Sequence, residues 1–161
     1  MDLDQLRCYV IRPALERIEL WSQSSENLVL GTGLVESGFN FVDQLTPGPG
    51  PAFGPFQMEA ATYRDIWVNY LGPRPTLSAR VRGLAGSWAI DMPPVTELWG
   101  NFYFATAMAR VLYKRVPEAL PQPTDAMGMA RYWKRHYNTP LGKGSEMKAL
   151  QYFAQACAHH G

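Results

Sequence analysis

Four short stretches hold the residues with chemistry to offer: Val35-Glu36-Ser37-Gly38-Phe39, Gly54-Pro55-Phe56-Gln57-Met58, Gly100-Asn101-Phe102, and Tyr132-Trp133 followed by Tyr137-Asn138-Thr139. Glu36 closes a stretch that is otherwise Leu28, Val29, Leu30, Gly31, Gly33, Leu34 and Val35. A helix over residues 26–37 puts its carboxylate at the negative end of the macrodipole, unfavourable by roughly 0.3–1 kcal/mol. Apolar neighbours add the cost of desolvating a charge. Both effects raise a carboxyl pKa, and a carboxyl still protonated near neutrality is a general acid suited to cleaving a glycosidic bond. The competing reading of Glu36 is a helix-end side chain turned to solvent or paired with an arginine. Gln57 offers a donor and an acceptor for an amide-bearing sugar, Phe56 and Met58 an apolar floor, and Gly54 a close backbone approach. The loop rich in proline and glycine between Glu36 and Gln57 makes both border one cleft.

The elements that must position these side chains read mainly as helix. Leu3, Leu6 and Val10 mark a first stripe, and Pro13 suits the first turn of a second helix. Ser24 or Ser25 caps the Glu36 helix, and Gly38 stands where a left-handed C-terminal residue is wanted. Residues 46–55, Thr46-Pro-Gly-Pro-Gly-Pro-Ala-Phe-Gly-Pro55, exclude helix and central strand and read as an ordered surface loop. Tyr63, Ile66, Trp67, Tyr70 and Leu71 give residues 60–71 the clearest amphipathic spacing. A short helix capped by Thr76 follows, then an extended Ser87–Met92. Thr96 caps a long helix to about Arg115 that is apolar nearly all round and therefore central. Thr124 opens another helix with Trp133 inward. Met147, Leu150, Ala154 and Cys157 mark the last one. The fold expected is mainly α: a single domain over residues 1–161 with about seven helices and at most a minor extended segment.

Composition bounds the function. With 161 residues, 47% apolar and 18% charged, the chain can bury a core without staples. A net charge of +1 argues against general binding of nucleic acid. The charge is uneven: three basic side chains stand against eight acidic ones over residues 1–60 (a balance of −5), and eight against three over residues 110–161 (+5). The basic third suits either a solvated helix face or an anionic polymer. No run is long and apolar enough to insert in a membrane. The acidic start, Met1-Asp2-Leu3-Asp4, does not read as a secretory signal. Cys8 and Cys157 form neither a disulfide framework nor a metal cluster, though a bridge between packed terminal helices stays open. No metal and no cofactor are expected. His159-His160 reads as a frayed tail, and Gly142-Lys143-Gly144-Ser145 lacks the first glycine and the strand of a phosphate loop.

Taken in order, Glu36-Ser37, Gly54-Pro55-Phe56-Gln57, Asn101 and Tyr137-Asn138 resemble the motifs of the soluble lytic transglycosylases and goose-type lysozymes, a family of the lysozyme-like fold. The resemblance spans residues 13–145. The chain departs from the family in its Pro47–Pro55 loop, in Met58 following the glutamine, and in Thr139-Pro140 after Tyr137-Asn138. The resemblance implies a lysozyme-like domain that cleaves the β-1,4 bond between N-acetylmuramic acid and N-acetylglucosamine. Glu36 would be its general acid. Gln57 and Tyr137, over a floor of Phe56 and Met58, would position the sugar. Asn138 would hold the cleft wall or bind a saccharide, and Asn101 would orient the site.

Two chemical outcomes stay open. The family's one-carboxylate route has Glu36 act first as acid and then as base toward the sugar's own 6-hydroxyl, leaving a 1,6-anhydro end. If Asp43 lines the cleft as a second carboxylate, water attack makes the enzyme a lysozyme. A third reading, a non-catalytic virion or tail component on the same scaffold, uses the same aromatics. The partners implied are peptidoglycan glycan strands, with phage structural proteins as further candidates. A wall-degrading chain without an export signal is expected in a phage particle, or in the host cytoplasm before delivery to the wall.

Overall fold

The computed structural model describes residues 1–43, 50–87, 89–138 and 143–158. The protein is mainly helical, with one two-stranded sheet among these residues. A first helical run is built from α1 (Leu3–Leu6), a π-helical segment Arg7–Ile11 and α2 (Arg12–Arg17). Pro13 sits in the first turn of α2 as expected. Next comes α3 (Gln23–Glu36), then the hairpin β1 (Ala52–Phe53) and β2 (Met58–Glu59), antiparallel with Ala52 opposite Glu59 and Phe53 opposite Met58. The amphipathic stretch forms α4 (Ala60–Asp65) and a second π-helical segment, Ile66–Leu71. The rest is α5 (Pro75–Arg82), α6 (Glu97–Gly100), α7 (Phe102–Lys114), α8 (Ala126–Trp133) continued by a π-helical segment Lys134–Asn138, and α9 (Glu146–Ala158).

Two helices form the centre. Every residue of α3 from Ser25 to Leu34 is buried, as is every residue of α7 from Phe104 to Tyr113. A helix buried all round needs small residues wherever a neighbour comes close, and α3 supplies Gly31 and Gly33. A Cβ at Gly31 would fall 2.3 Å from the Phe153 ring of α9, and one at Gly33 2.1 Å from the Phe39 ring. These glycines let α9 and the chain beyond Glu36 close over α3. Its first turn carries a buried charge network. Glu26 accepts from Arg7, from Arg12 at 2.8 Å and from the Trp21 indole at 2.6 Å, while Arg7 also donates to Asn27 at 2.8 Å. Partners on both carboxylate oxygens make the burial of Glu26 tolerable, while Arg7 Nε has none among the described residues.

Several helix ends differ from expectation, and side-chain hydrogen bonds explain most of them. Ser22, not Ser24 or Ser25, caps α3; it forms a reciprocal capping box with Ser25. Asp125, not Thr124, caps α8 by accepting from the Gly128 N–H. The cap of α5 is Arg74, because Pro75 starts the helix one residue before Thr76. The described residues of the 87–92 stretch form turns and bends, not an extended segment. The long helix expected from Thr96 breaks at Asn101, whose φ of −112° and ψ of 88° leave the helical region. The last helix turns a different face inward: Ala149, Phe153, Ala156 and Cys157 are buried, while Met147 is 70% exposed. Cys8 and Cys157 are both free thiols. Residues 44–49, which make up much of the proline-glycine loop, lie outside the described residues, as do Thr139-Pro140 and the His159-His160 tail.

Candidate active site

Glu36 is the last residue of α3, and Ser37 follows as its C-cap. Gly38 then turns the chain with a φ of +60°, as expected for a left-handed helix end. The Ser37 hydroxyl donates to the Pro55 carbonyl at 2.7 Å and accepts from the Phe39 N–H at 3.0 Å. The helix end is thereby fastened directly to the Gly54–Gln57 turn. Gly54 is obligatory there: its φ is +74°, and a Cβ would fall 2.3 Å from the Leu98 carbonyl oxygen. Its close approach is to the protein's own α6, not to a ligand.

The two glutamates of α3, Glu26 buried and Glu36 half-buried, live in opposite environments. Burial pushes the Glu26 carboxyl up, but hydrogen bonds from Arg12, Trp21 and Arg7 outweigh it and hold the group below the ordinary carboxylate range. Burial also pushes Glu36 up, and no cation answers it. A hydrogen bond from Trp133 lowers it only in part, so its pKa stands at about 7. The bond runs from the Trp133 indole N–H to Glu36 Oε1 at 2.8 Å. Among the described residues Oε2 has no hydrogen-bond partner. Glu36 is therefore neither paired with an arginine nor turned to bulk solvent. With a pKa of about 7 it is still partly protonated at neutrality, and Oε2 remains available.

That oxygen belongs to a residue lining a cavity of about 290 Å³. Gln57, Met58, Tyr137 and Asn138, all expected in the site, line the same cavity, joined by Glu59, Thr62 and Leu112. Gln57 has a φ of +48°, a left-handed conformation seldom adopted by a residue with a side chain. Its Nε2 donates to the Gly54 carbonyl at 2.8 Å, which leaves Oε1 to accept from a ligand N–H. Met58 is 3% exposed and forms apolar wall. The Tyr137 hydroxyl donates to the Phe56 carbonyl at 2.7 Å, so it holds the turn from a residue that lines the cavity. Burial first, then the Glu36 charge, raises the Tyr137 pKa well above the usual phenol value. Asn138 accepts from Lys134 Nζ at 2.8 Å.

Three expected site residues stand elsewhere. Phe56 is 2% exposed and packs edge-on against Phe39, with centroids 5.8 Å apart, so its side chain is core and only its carbonyl serves the site. Asn101 caps α7: its Oδ1 accepts from the Phe104 N–H at 3.0 Å and its Nδ2 donates to the Leu84 carbonyl at 2.8 Å. That satisfies a polar residue at the edge of an apolar helix, but it does not line the cavity. Asp43 forms an antiparallel bridge with Phe53 and is not among the described residues around the cavity.

The sequence reading also missed contributors. Trp133, one of the residues with chemistry to offer and expected inward, packs at 1% exposure, but its role as the partner of Glu36 through the indole N–H has no signal in the sequence. Tyr113, fully buried, shares a 2.7 Å hydrogen bond with Thr32 and lies 5.4 Å from the Tyr137 ring. Glu59 follows Met58 on β2 and opens α4. The period-two alternation of a strand, Met58 buried and Glu59 exposed, was the one signal that could have singled it out. No protein-family model, curated protein or solved structure matches the chain.

Proposed function

We propose that this protein is a lysozyme-like glycosidase that cuts peptidoglycan glycan strands at the β-1,4 bond from N-acetylmuramic acid to N-acetylglucosamine. The observation that carries the reading is Glu36: a carboxyl with a pKa of about 7, held at one oxygen by Trp133, with the other oxygen free beside a cavity. Protonation of the departing glycosidic oxygen from Oε2 is the step that such a carboxyl performs, and general acid help of this kind contributes about 10²–10⁴-fold. Gln57 Oε1 suits the N–H of an N-acetyl group. The Tyr137 ring and Met58 suit the apolar face of a sugar.

Bond breaking leaves a positively charged anomeric centre, and two nucleophiles can take it. The sugar's own 6-hydroxyl gives the anhydro end of a lytic transglycosylase, which the resemblance of the motifs favours. Water gives the reducing end of a lysozyme.

The test is release of soluble muropeptides from purified sacculi. The wild-type chain releases them, and Glu36→Gln lowers the rate by at least ~10² while keeping its near-ultraviolet circular dichroism. No release from any wall preparation, with stoichiometric binding to a virion component instead, would leave a structural role.

A further inference from the structure

The cavity beside Glu36 holds a second carboxylate. Glu59 is the final residue of β2, and its φ of −71° and ψ of 146° are extended, immediately before the helical run of residues 60–71. Its strand neighbour Met58 is buried, while Glu59 itself is exposed and lines the cavity. At this position the side chain could fold back to cap its helix, but it makes no such hydrogen bond. Nor does it form an ion pair among the described residues. Thr62, three residues on and so on the same side of the first turn, lines the cavity as well.

The two glutamates of the cavity occupy opposite ends of helices. Glu36 ends α3 and is half-buried, while Glu59 directly precedes α4 and is exposed. Inverting cleavage of a glycosidic bond uses two separate carboxyls, one for the leaving oxygen and one for the attacking water. A cavity of about 290 Å³ leaves room for a sugar edge and a water, whose share of liquid volume is about 30 Å³.

We infer that Glu59, assisted by the Thr62 hydroxyl, holds the water that attacks the anomeric carbon, so that the reaction is hydrolysis with inversion. The water oxygen bonds to the anomeric carbon as the bond from that carbon to the leaving oxygen breaks. One water proton passes to Glu59, and the Glu36 proton passes to the leaving oxygen. One water is consumed, and the two carboxyls recover their starting states by exchange with solvent. This inference rests on Glu36 being the acid in glycosidic cleavage.

The experiment follows products from a peptidoglycan glycan chain by mass and by proton NMR of the new anomeric centre, using wild type, Glu36→Gln, Glu59→Gln and Glu59→Ala. Wild type is expected to give reducing ends, initially of the α configuration. Glu59→Gln and Glu59→Ala are expected to lose about 10²–10⁴-fold in kcat with an unchanged melting temperature, because the side chain is exposed. Azide is expected to restore turnover to Glu59→Ala by occupying the vacated space, giving an α-glycosyl azide that a merely structural role would not produce. Anhydro ends from wild type, or reducing ends from Glu59→Ala at the wild-type rate, overturn the role of Glu59 while leaving Glu36 as acid. Full activity in Glu36→Gln, or no cleavage by wild type, overturns the acid assignment and this inference with it.

Discussion

Trp133 and Glu36 lie 97 positions apart, and the indole N–H of one donates to the carboxyl of the other at 2.8 Å. The bond holds a carboxyl in place without forcing it to ionise. An arginine at the same distance would have done what Arg7 and Arg12 do to Glu26. Trp133→Phe keeps most of the packing and removes the donor. Because that donor lowers the Glu36 pKa, its loss is expected to move the high-pH limb of kcat/KM above 7 and to reduce kcat by about tenfold as the carboxyl loses its fixed rotamer. A pH–rate profile of the variant checks both effects.

Glu36 should also weaken the fold at high pH. Its pKa rises from 4.5 in the unfolded chain to about 7 in the folded one, so the folded state binds the extra proton between those values. The stabilisation is fully present below 4.5 and is lost as pH rises through 7. At 1.36 kcal/mol per pKa unit the loss reaches about 3 kcal/mol at most. Glu36→Gln, which carries no charge, is expected to melt above the wild type at pH 8 and close to it at pH 4. Thermal melts across that range give the answer, and equal pH dependence in both proteins would mean that the carboxyl is not desolvated.

Activity requiring a protonated Glu36 should fall as pH rises through 7, the same direction as stability. A cleavage rate that climbs steadily from pH 6 to pH 9 would contradict the assignment of Glu36 as acid.

Tyr137→Phe removes the hydroxyl that holds the Phe56 carbonyl and leaves that carbonyl without its partner. A cost of about 1–3 kcal/mol in stability is expected for a buried group left unsatisfied. The Gln57 turn loosens with it, so KM for a glycan chain should rise while the position of the Glu36 pH limb stays put. Kinetics at several pH values separate the two.

Gly31→Ala places a methyl group 2.3 Å from the Phe153 ring in the undisturbed structure. Overpacking of this kind costs about 1–3 kcal/mol, read as a lower denaturant midpoint. Asn101→Ala loses the cap of α7 and is expected to cost about 0.5–2 kcal/mol. Its activity per folded molecule should remain that of wild type, since Asn101 is not part of the cavity. A specific loss of activity in Asn101→Ala would restore it to the site.

The balance of helix over strand was legible because apolar spacing and Gly/Pro punctuation are local properties. Residues 60–71 form the helical run that Tyr63, Ile66, Trp67, Tyr70 and Leu71 predict, and Gly38 turns the chain where a helix end was expected. Caps were read less well, since Ser22 and Asp125 each compete with a neighbour of equal propensity and the winner is set by which oxygen reaches an N–H. The phase of α9 was missed because its inward face is defined by the Gly31 surface it meets, which lies more than a hundred residues away.

The sequence by itself determined that Glu36 would be an unfavourably placed anion at the end of an apolar helix, a placement that raises a carboxyl pKa unless a cation answers it. Only the tertiary structure decided what it faces. Trp133 bonds to it and Glu59 and Thr62 line the same cavity from separate elements, Asn101 and Phe56 are drawn away into a cap and the core, and Asp43 is held at a β-bridge. Helix propensity and periodicity act over a few residues, whereas a cavity is the space left where distant surfaces fail to touch, and no local rule specifies that space.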